Sequence, residues 1–453
     1  MRTLHLCFCL LILGTCVRAQ PSGAAAKRTL TLDEAITEAL ANNYQIRIAD
    51  ARLAESRNNV DPALTGRRPT VSVGINPGVS YRNNANPASI VAQSETFSYG
   101  IGPAANLSWT LYNGGRIDLT EQRLETLATL DAEQRQQQVE NTVADVTDAY
   151  YNAVVQREQA EVRRRVLKLS RDRIRYQEVR AEYGQGGTFN ELQARDAFLS
   201  DSTSLVVQRL QYDLALRSLL QLMGADDLDR RPRLTTELAE ATTDFDRATL
   251  EQRLLEDNSQ LATLRVSQQL AAIGTRTIET ERRPTVTLNA GVAYDYNLAT
   301  GTQTFVFGDA PPDERALPGI GATTLSAQLG FGVNYLLYDG GSRSVRAQTA
   351  RLAEQTAALN LDAAAQQLRT ALATTLDRYA TQRRVVALTR ETIANAERNL
   401  EIASERFRGG TINSFDYRQI QLSYVNAEFQ LLSALLNLQQ TETEILRLVG
   451  RPN

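Results

Sequence analysis

Residues 67–82 read RRPTVSVGINPGVSYR, and residues 282–297 read RRPTVTLNAGVAYDYN. In the first stretch Val71, Val73, Ile75, Pro77, Val79 and Tyr81 point one way, and Thr70, Ser72, Gly74, Asn76, Gly78 and Ser80 the other. A period of two held across 70–82 specifies a long strand. Residues 97–112 alternate likewise, with Phe97, Tyr99, Ile101, Leu107, Trp109 and Leu111 against Ser98, Gly100, Gly102, Asn106, Ser108 and Thr110. The second stretch, 285–297, and the later segment 323–338 repeat the pattern, the latter with Leu325, Leu329, Phe331, Val333, Tyr335 and Leu337 on one side. Globular strands usually run to about 5–6 residues, whereas a tilted membrane strand needs about 9–11. One face is apolar with aromatics toward its ends; the other is small and polar, as a water-filled lumen requires. A soluble sandwich also alternates, but strand length, the terminal aromatics and the leader described below favour a membrane barrel. The segments between paired strands, 83–96 and 298–322, are rich in Asn, Pro, Gly and acidic residues and read as extracellular loops.

Four strands cannot close on themselves, since small barrels take about eight. Two copies would need an interior filled by side chains, and these inward faces are mostly Gly, Ser, Thr and Asn. Three copies give a twelve-stranded barrel with room for a lumen.

The duplication runs through the whole chain. RRPTV at 67–71 returns at 282–286, LYNGG at 111–115 returns as LYDGG at 337–341, GGT at 186–188 returns at 409–411, and LMG at 222–224 returns as LVG at 448–450. The separations are 215, 226, 223 and 226 residues, in unbroken order. Ordered self-similarity of this kind marks a repeated structural unit. Each unit reads helix, strand, strand, very long helix, helix. The expected organisation is a leader at 1–19, a first repeat at 20–224, an inter-repeat equatorial segment at 225–243 and a second repeat at 244–450. The fold class is α+β, a membrane protein built from a duplicated unit.

The long helices are expected at 116–182 and 342–407, both free of Pro and Gly. Val139, Val143, Val146, Tyr150 and Ala153 in the first, and Leu361, Ala365, Leu368, Leu372, Thr375 and Tyr379 in the second, step by four and three along a coiled-coil seam. At 1.5 Å per residue each helix is about 100 Å long. Tight turns containing glycine, at 183–187 and 408–410, lead into return helices at 188–223 and 412–449. A shorter helix precedes each strand pair, and Thr31 with Glu34 and Thr249 with Gln252 have capping-box spacing. The segment 225–243 is expected to pack around the helices through Leu234 and Leu238. Gly114, Gly115, Gly340 and Gly341 let strand turn directly into helix. Neither copy carries the Lys-Ser/Thr of a phosphate-cradling loop. The arginine pairs 67–68 and 282–283 read as solvated interface charge.

Composition excludes several functions. Arg2, the apolar run Leu6–Leu13 and Val17-Arg18-Ala19 before Gln20 form a secretory leader, the run being too short to span a bilayer. Leu13–Cys16 has lipobox form, with Thr15 a poor fit before the cysteine. Cys7, Cys9, Cys16 and His5, the only cysteines and histidine, leave with the leader. The remainder has no thiol or imidazole, which removes Cys–His nucleophiles, disulfides and soft-ligand metal sites. Loss of Arg2 and Arg18 takes the formal net charge from −3 to −5. No basic patch interleaved with aromatics suggests nucleic acid. No catalytic, cofactor or metal site is expected.

These residues resemble the TolC-type outer-membrane channels of efflux pumps and type I secretion systems. The resemblance covers nearly the whole chain after the leader and rests on LYNGG and LYDGG, on the aromatic-x-x-Gly turns Tyr183–Gly186 and Phe407–Gly410, and on the acidic positions that follow. It implies a homotrimer in outer-membrane lipid, a twelve-stranded barrel continuous with a twelve-helix tunnel in the periplasm. It implies a passive exit duct whose helical tips meet a periplasmic adaptor protein linked to an inner-membrane transporter. Tyr183, Gly186, Gly187, Phe407, Gly409 and Gly410 would be the adaptor-contacting turns. Some members close the tunnel with two acidic rings; Asp416 matches the first, Gln419 stands at the second, and Glu191 holds the comparable place in the first repeat. Some also lock the closed state with a Tyr at the position of Phe407 and an Arg at that of Ile412, and neither group is present here. The alternative from another class is a surface adhesin or structural coiled coil, against which the paired strands and antiparallel helical hairpins count.

Overall fold

The computed structural model describes residues 29–450 except 186, 239–242 and 309. The leader, Cys16 and Gly186 therefore lie outside the described residues. In chain order the elements are β1 (Thr29–Leu30), α1 (Leu32–Asn42), α2 (Tyr44–Asn59), α3 (Pro62–Thr65), β2 (Thr70–Ala85), β3 (Val91–Tyr112), α4 (Arg116–Glu182) and α5 (Thr188–Leu222). They continue as β4 (Arg233–Leu234), α6 (Arg247–Asp257), α7 (Ser259–Thr280), β5 (Thr285–Phe305), β6 (Asp313–Asn334), α8 (Ser342–Arg408) and α9 (Ser414–Leu448).

The sheet is a single antiparallel layer in the order β2-β3-β5-β6. Between register shifts at Val91/Gln93, Thr110/Tyr112 and Ala299/Gly301, its pairing carries the alternation of each strand across the sheet. Val73 pairs with Ala105, Ala105 with Val292 and Val292 with Ala327, while on the opposite face Ser72 pairs with Asn106, Asn106 with Gly291 and Gly291 with Gln328. One face is thus continuously apolar and the other small and polar. No second sheet covers the apolar face among the described residues, and Val71, Val73, Leu325 and Phe331 stand exposed on it.

The strands outrun the sequence expectation. Pairing continues to Ala85↔Gln93 and to Phe305↔Asp313, so most of 83–96 and 298–322 is ladder and only short turns remain. The apolar alternation stops where lipid would stop, but a ladder needs only backbone N–H and C=O groups. At the other end β6 stops at Asn334, and 335–338 is not strand. Asn334 pairs with Thr285, which follows Pro284, so the chain offers residues 335–338 no further ladder partner.

The single helix expected before each strand pair is broken at an asparagine, into α1 and α2 in the first repeat, where the short α3 follows, and into α6 and α7 in the second. Asn43 Oδ1 accepts from the amides of Gln45 and Ile46 at 2.8 and 3.3 Å, starting α2, and its Nδ2 donates to Leu222 O at 2.7 Å. Asn258 starts α7 in the same way, accepting from Leu261 N at 3.0 Å and donating to Leu448 O at 2.9 Å. The side chain competes with the helix for its own amides and ends it. Thr31 and Glu34 form the capping box of α1. The Thr249–Gln252 box does not form: Asp246 is the N-cap of α6, its carboxylate accepting from Thr249 N at 2.9 Å and Thr249 Oγ1 at 2.6 Å.

The core lies at the middle of the helical region, in two clusters related by the duplication. One gathers Leu30, Tyr150, Leu216, Leu220 and Leu234; the other gathers Leu254, Leu372, Tyr379, Leu438 and Ile445. Leu238 touches both. β1 and β4 pair in parallel, and Tyr150 closes them, donating to Leu30 O at 2.8 Å and accepting from Thr235 N and Thr236 N at 3.1 and 3.0 Å.

Beside this core Asp148 has a carboxylate oxygen without a hydrogen-bond partner among the described residues. Burial, then the nearby Asp145 and Glu444, push its carboxyl up to about 6, against the pull of Arg447. A carboxyl held above its unfolded value favours the folded state while protonated, and that stability is lost as pH rises from about 4 through 6. Asp148→Asn should therefore leave the melting temperature unchanged near pH 3, below both values, and raise it at pH 8. The gain should be up to about 2 kcal/mol after solvent screening. An equal shift at both pH values would contradict the assignment.

Candidate functional site

Two regions carry the residues singled out in the sequence: the joint between sheet and long helices, and the far tips of the helical hairpins.

At the joint, Gly114, Gly115, Gly340 and Gly341 all have left-handed backbone, with φ of 73°, 90°, 70° and 88°, a region most L side chains avoid. Gly115 and Gly341 are the N-caps and have no side chain to cap with. The residue two before supplies the cap. Asn113 Oδ1 accepts from Ile117 N at 3.1 Å, and Asp339 Oδ2 accepts from Arg343 N at 2.8 Å. The arginine pairs do more than face solvent. Arg283 donates to Gly114 O at 2.9 Å, and Arg67 reaches Asp118 and Glu121 of α4 at 2.7 and 2.5 Å. The joint is thereby braced from both sides.

The tips are two successive Schellman turns. Gly184, with φ 67°, ends α4, and Gln185 N donates back to Arg180 O at 2.9 Å. Gly410, with φ 72°, ends α8, and Thr411 N donates back to Arg406 O at 2.8 Å. Both long helices have 67 residues and both return helices 35, so the two hairpins superpose at a constant offset of 226. The match of GGT at an offset of 223 is therefore out of structural register by three. Gly184, which the sequence reading did not single out, is the mate of Gly410. Gly187 and Gly409 have ordinary negative φ, at −99° and −76°.

This register moves other assignments. The mate of Asp416 is Asn190, and Glu191 is the mate of Tyr417. Glu191 does not join Asp416; its carboxylate pairs with Arg195 at 2.9 Å along α5. Asp416 is the third residue of α9, its amide donating to the N-cap Asn413 Oδ1 at 2.8 Å. It is exposed, as is Gln419 one turn on. Phe407 is not a contact surface. It is buried, stacked on Tyr417 at 4.7 Å and against Tyr176 at 4.7 Å, and so joins α8, α9 and α4. Tyr183 is exposed. The sequence reading missed Phe189 and Phe415, both exposed at the second position of a return helix. They share one place in the 226-residue register, which was the available signal.

Just behind the tips lies a clamp between repeats. Arg418 of α9 makes a two-pronged ion pair with Asp201 of α5, at 2.7 and 2.6 Å, and Ser170 of α4 also donates to Asp201. Both charged side chains are largely buried. Buried Arg173 adjoins the pair; burial first, and then Arg418, lower its pKa. Farther up, Arg165 meets Glu428 at 2.9 Å and Tyr424 donates to Glu428 at 2.6 Å. α9 is thus held along α4 by charge as well as by Val162, Val166 and Val425.

Over residues 35–225 and 250–451 the chain matches the family described as Outer membrane efflux protein. It is 22% identical over 441 residues to the outer membrane efflux protein BepC of Brucella suis biovar 1 (strain 1330), the alignment covering 95% of this chain and 88% of BepC. Its fold is similar to that of the CmeC outer membrane channel of Campylobacter jejuni, at a TM-score of 0.75 and 14% identity, covering 92% of this chain and 85% of that one. It is also similar to the open state of the MtrE outer membrane channel of Neisseria gonorrhoeae, at a TM-score of 0.68 and 17% identity, covering 92% and 88%. A bare apolar sheet face, a polar opposite face and helices reaching far beyond the sheet suit an efflux channel in the bacterial outer membrane that extends into the periplasm. The chain belongs to the outer membrane efflux protein family.

Proposed function

We propose that three copies of the chain assemble into a passive exit duct, a twelve-stranded barrel in outer-membrane lipid above a twelve-helix periplasmic tunnel. One observation carries this reading. The sheet has two long free edges, β2 and β6, and with four antiparallel strands these edges run in opposite directions. β6 of one copy can therefore continue into β2 of the next without breaking the antiparallel pattern. Closure removes edges that would otherwise template aggregation. Four strands are too few to close alone and twelve leave a lumen.

The tips, farthest from the membrane, are the surface for a periplasmic adaptor joined to an inner-membrane transporter. Tyr183, Phe189 and Phe415 are the exposed aromatics offered there, and aromatic anchors are typical of protein interfaces. Threefold symmetry would bring three copies of Asp416 toward one axis, with Gln419 one turn above. Single-channel recording of the purified protein in a planar bilayer tests the reading. Wild type should show a small, cation-selective conductance, and Asp416→Ala should raise conductance and weaken cation selectivity. Conductance by a species whose native mass is that of one chain would overturn the trimeric duct. An unchanged Asp416→Ala channel would leave that residue only the dipole complement of α9, worth about 0.3–1 kcal/mol.

A further inference from the structure

The constant offset of 226 allows an interface inside the chain to be transposed onto a surface that the chain leaves bare. Within one chain α9 packs against α4, burying Val425 at 8% exposure and Val162 at 2%. Their mates in the other repeat are Leu199 of α5 and Leu388 of α8, and these are 61% and 66% exposed. Larger apolar residues at equivalent places lie open because no α5 in the same chain occupies that side of α8.

The clamp transposes in the same way. Arg418 becomes Leu192, Ser170 becomes Ala396 and Asp201 becomes Ala427. A largely buried ion pair and its serine partner are replaced by one leucine and two alanines. Leu192 is 56% exposed. Ala396 and Ala427 adjoin each other and line an open groove between α8 and α9, bordered by Thr392, Asn399 and Ile420. The exposed positions Leu192, Leu199 and Val206 recur every seven residues, as a coiled-coil seam does. Size and polarity match on both sides: a knob where the internal copy has Arg, and a hole where it has Ser and Asp.

We infer that this groove takes α5 of a second copy of the chain, with Leu192 seated over Ala396 and Ala427 and Leu199 against Leu388. The inference rests on the proposed trimer and adds to it the residues of the helical seam. Seams around the tunnel then alternate in kind, clamped by charge within each chain and closed by apolar knobs between chains.

Cysteine pairs test the register. Residues 17–453 contain no cysteine, so with residues 1–19 removed each double variant has only its two introduced thiols. Leu199→Cys/Leu388→Cys and Leu192→Cys/Ala396→Cys should each give covalently linked dimers and trimers on oxidation of the full protein in detergent. Leu210→Cys/Leu388→Cys, whose first position lies about 16 Å farther along α5, should stay unlinked. Native mass is measured on the same samples. A mass of three chains with no link at either designed pair, or with equal linking of the control, overturns the seam while leaving the trimer standing. A mass of one chain overturns the trimer and the seam together.

Discussion

Gly224→Ala and Gly450→Ala should each abolish accumulation of folded protein, whereas Gly184→Ala should be tolerated. All three glycines have left-handed backbone, with φ of 68°, 67° and 67°. A side chain there costs about 1–2 kcal/mol. The surroundings separate them. A Cβ on Gly224 would lie 2.4 Å from Asn42 O, and one on Gly450 2.4 Å from Asp257 O, while one on Gly184 meets nothing within 4 Å among the described residues. The obstacles are backbone atoms just before Asn43 and Asn258, the residues that start α2 and α7 and bond to Leu222 O and Leu448 O. Relieving the clash must therefore pull apart the tie between each return helix and the helix pair beneath it. Added to the loss of those buried bonds, the cost should exceed about 4 kcal/mol, the range reached only by severe lesions. The measurement is the amount of membrane-inserted protein and its thermal melting. Equal, small shifts for all three variants would show that backbone conformation alone matters and that the close approach does not.

Arg418→Ala should cost about 3–5 kcal/mol, because it takes from the largely buried Asp201 carboxylate the cation hydrogen-bonded to both of its oxygens, and Arg173 beside it makes no such bond. The compensated triple variant Arg418→Leu/Asp201→Ala/Ser170→Ala should recover most of that loss. It installs at the internal seam the leucine and alanines that the other repeat carries at 192, 427 and 396. Well-packed apolar groups in place of a buried ion pair are often neutral or better. Thermal melting of the two variants against wild type decides the matter. If the triple variant is no more stable than the single one, the clamp supplies something that packing cannot replace. If Arg418→Ala is nearly neutral, water reaches Asp201 and the pair is not effectively buried.

Sequence alone determined what periodicity reports. The alternation from Thr70 and from Thr285 gave long strands with one apolar face. Freedom from Pro and Gly between Arg116 and Glu182 gave a helix of that length, and the ordered repeats gave the duplication. These follow from local rules, because side-chain direction recurs every two residues in a strand and every 3.6 in a helix. The glycines before α4 and α8 were legible for the same reason. Only the tertiary structure decided which neighbours meet. GGT pointed to an offset of 223, but helix length and the positive φ of Gly184 set 226, so Asp416 pairs in register with Asn190 and not with Glu191. Phe407 looked like a turn residue and is buried between Tyr176 and Tyr417. Asn43 and Asn258 sat inside apparently continuous helices, and each breaks one by capping the amides that follow while its Nδ2 bonds to a carbonyl on a distant helix. Asp201 and Arg418 are 217 residues apart, and no pattern along the chain couples them. Their pairing is decided by which helix lies beside which, and by the need for a buried charge to find its counter-ion there.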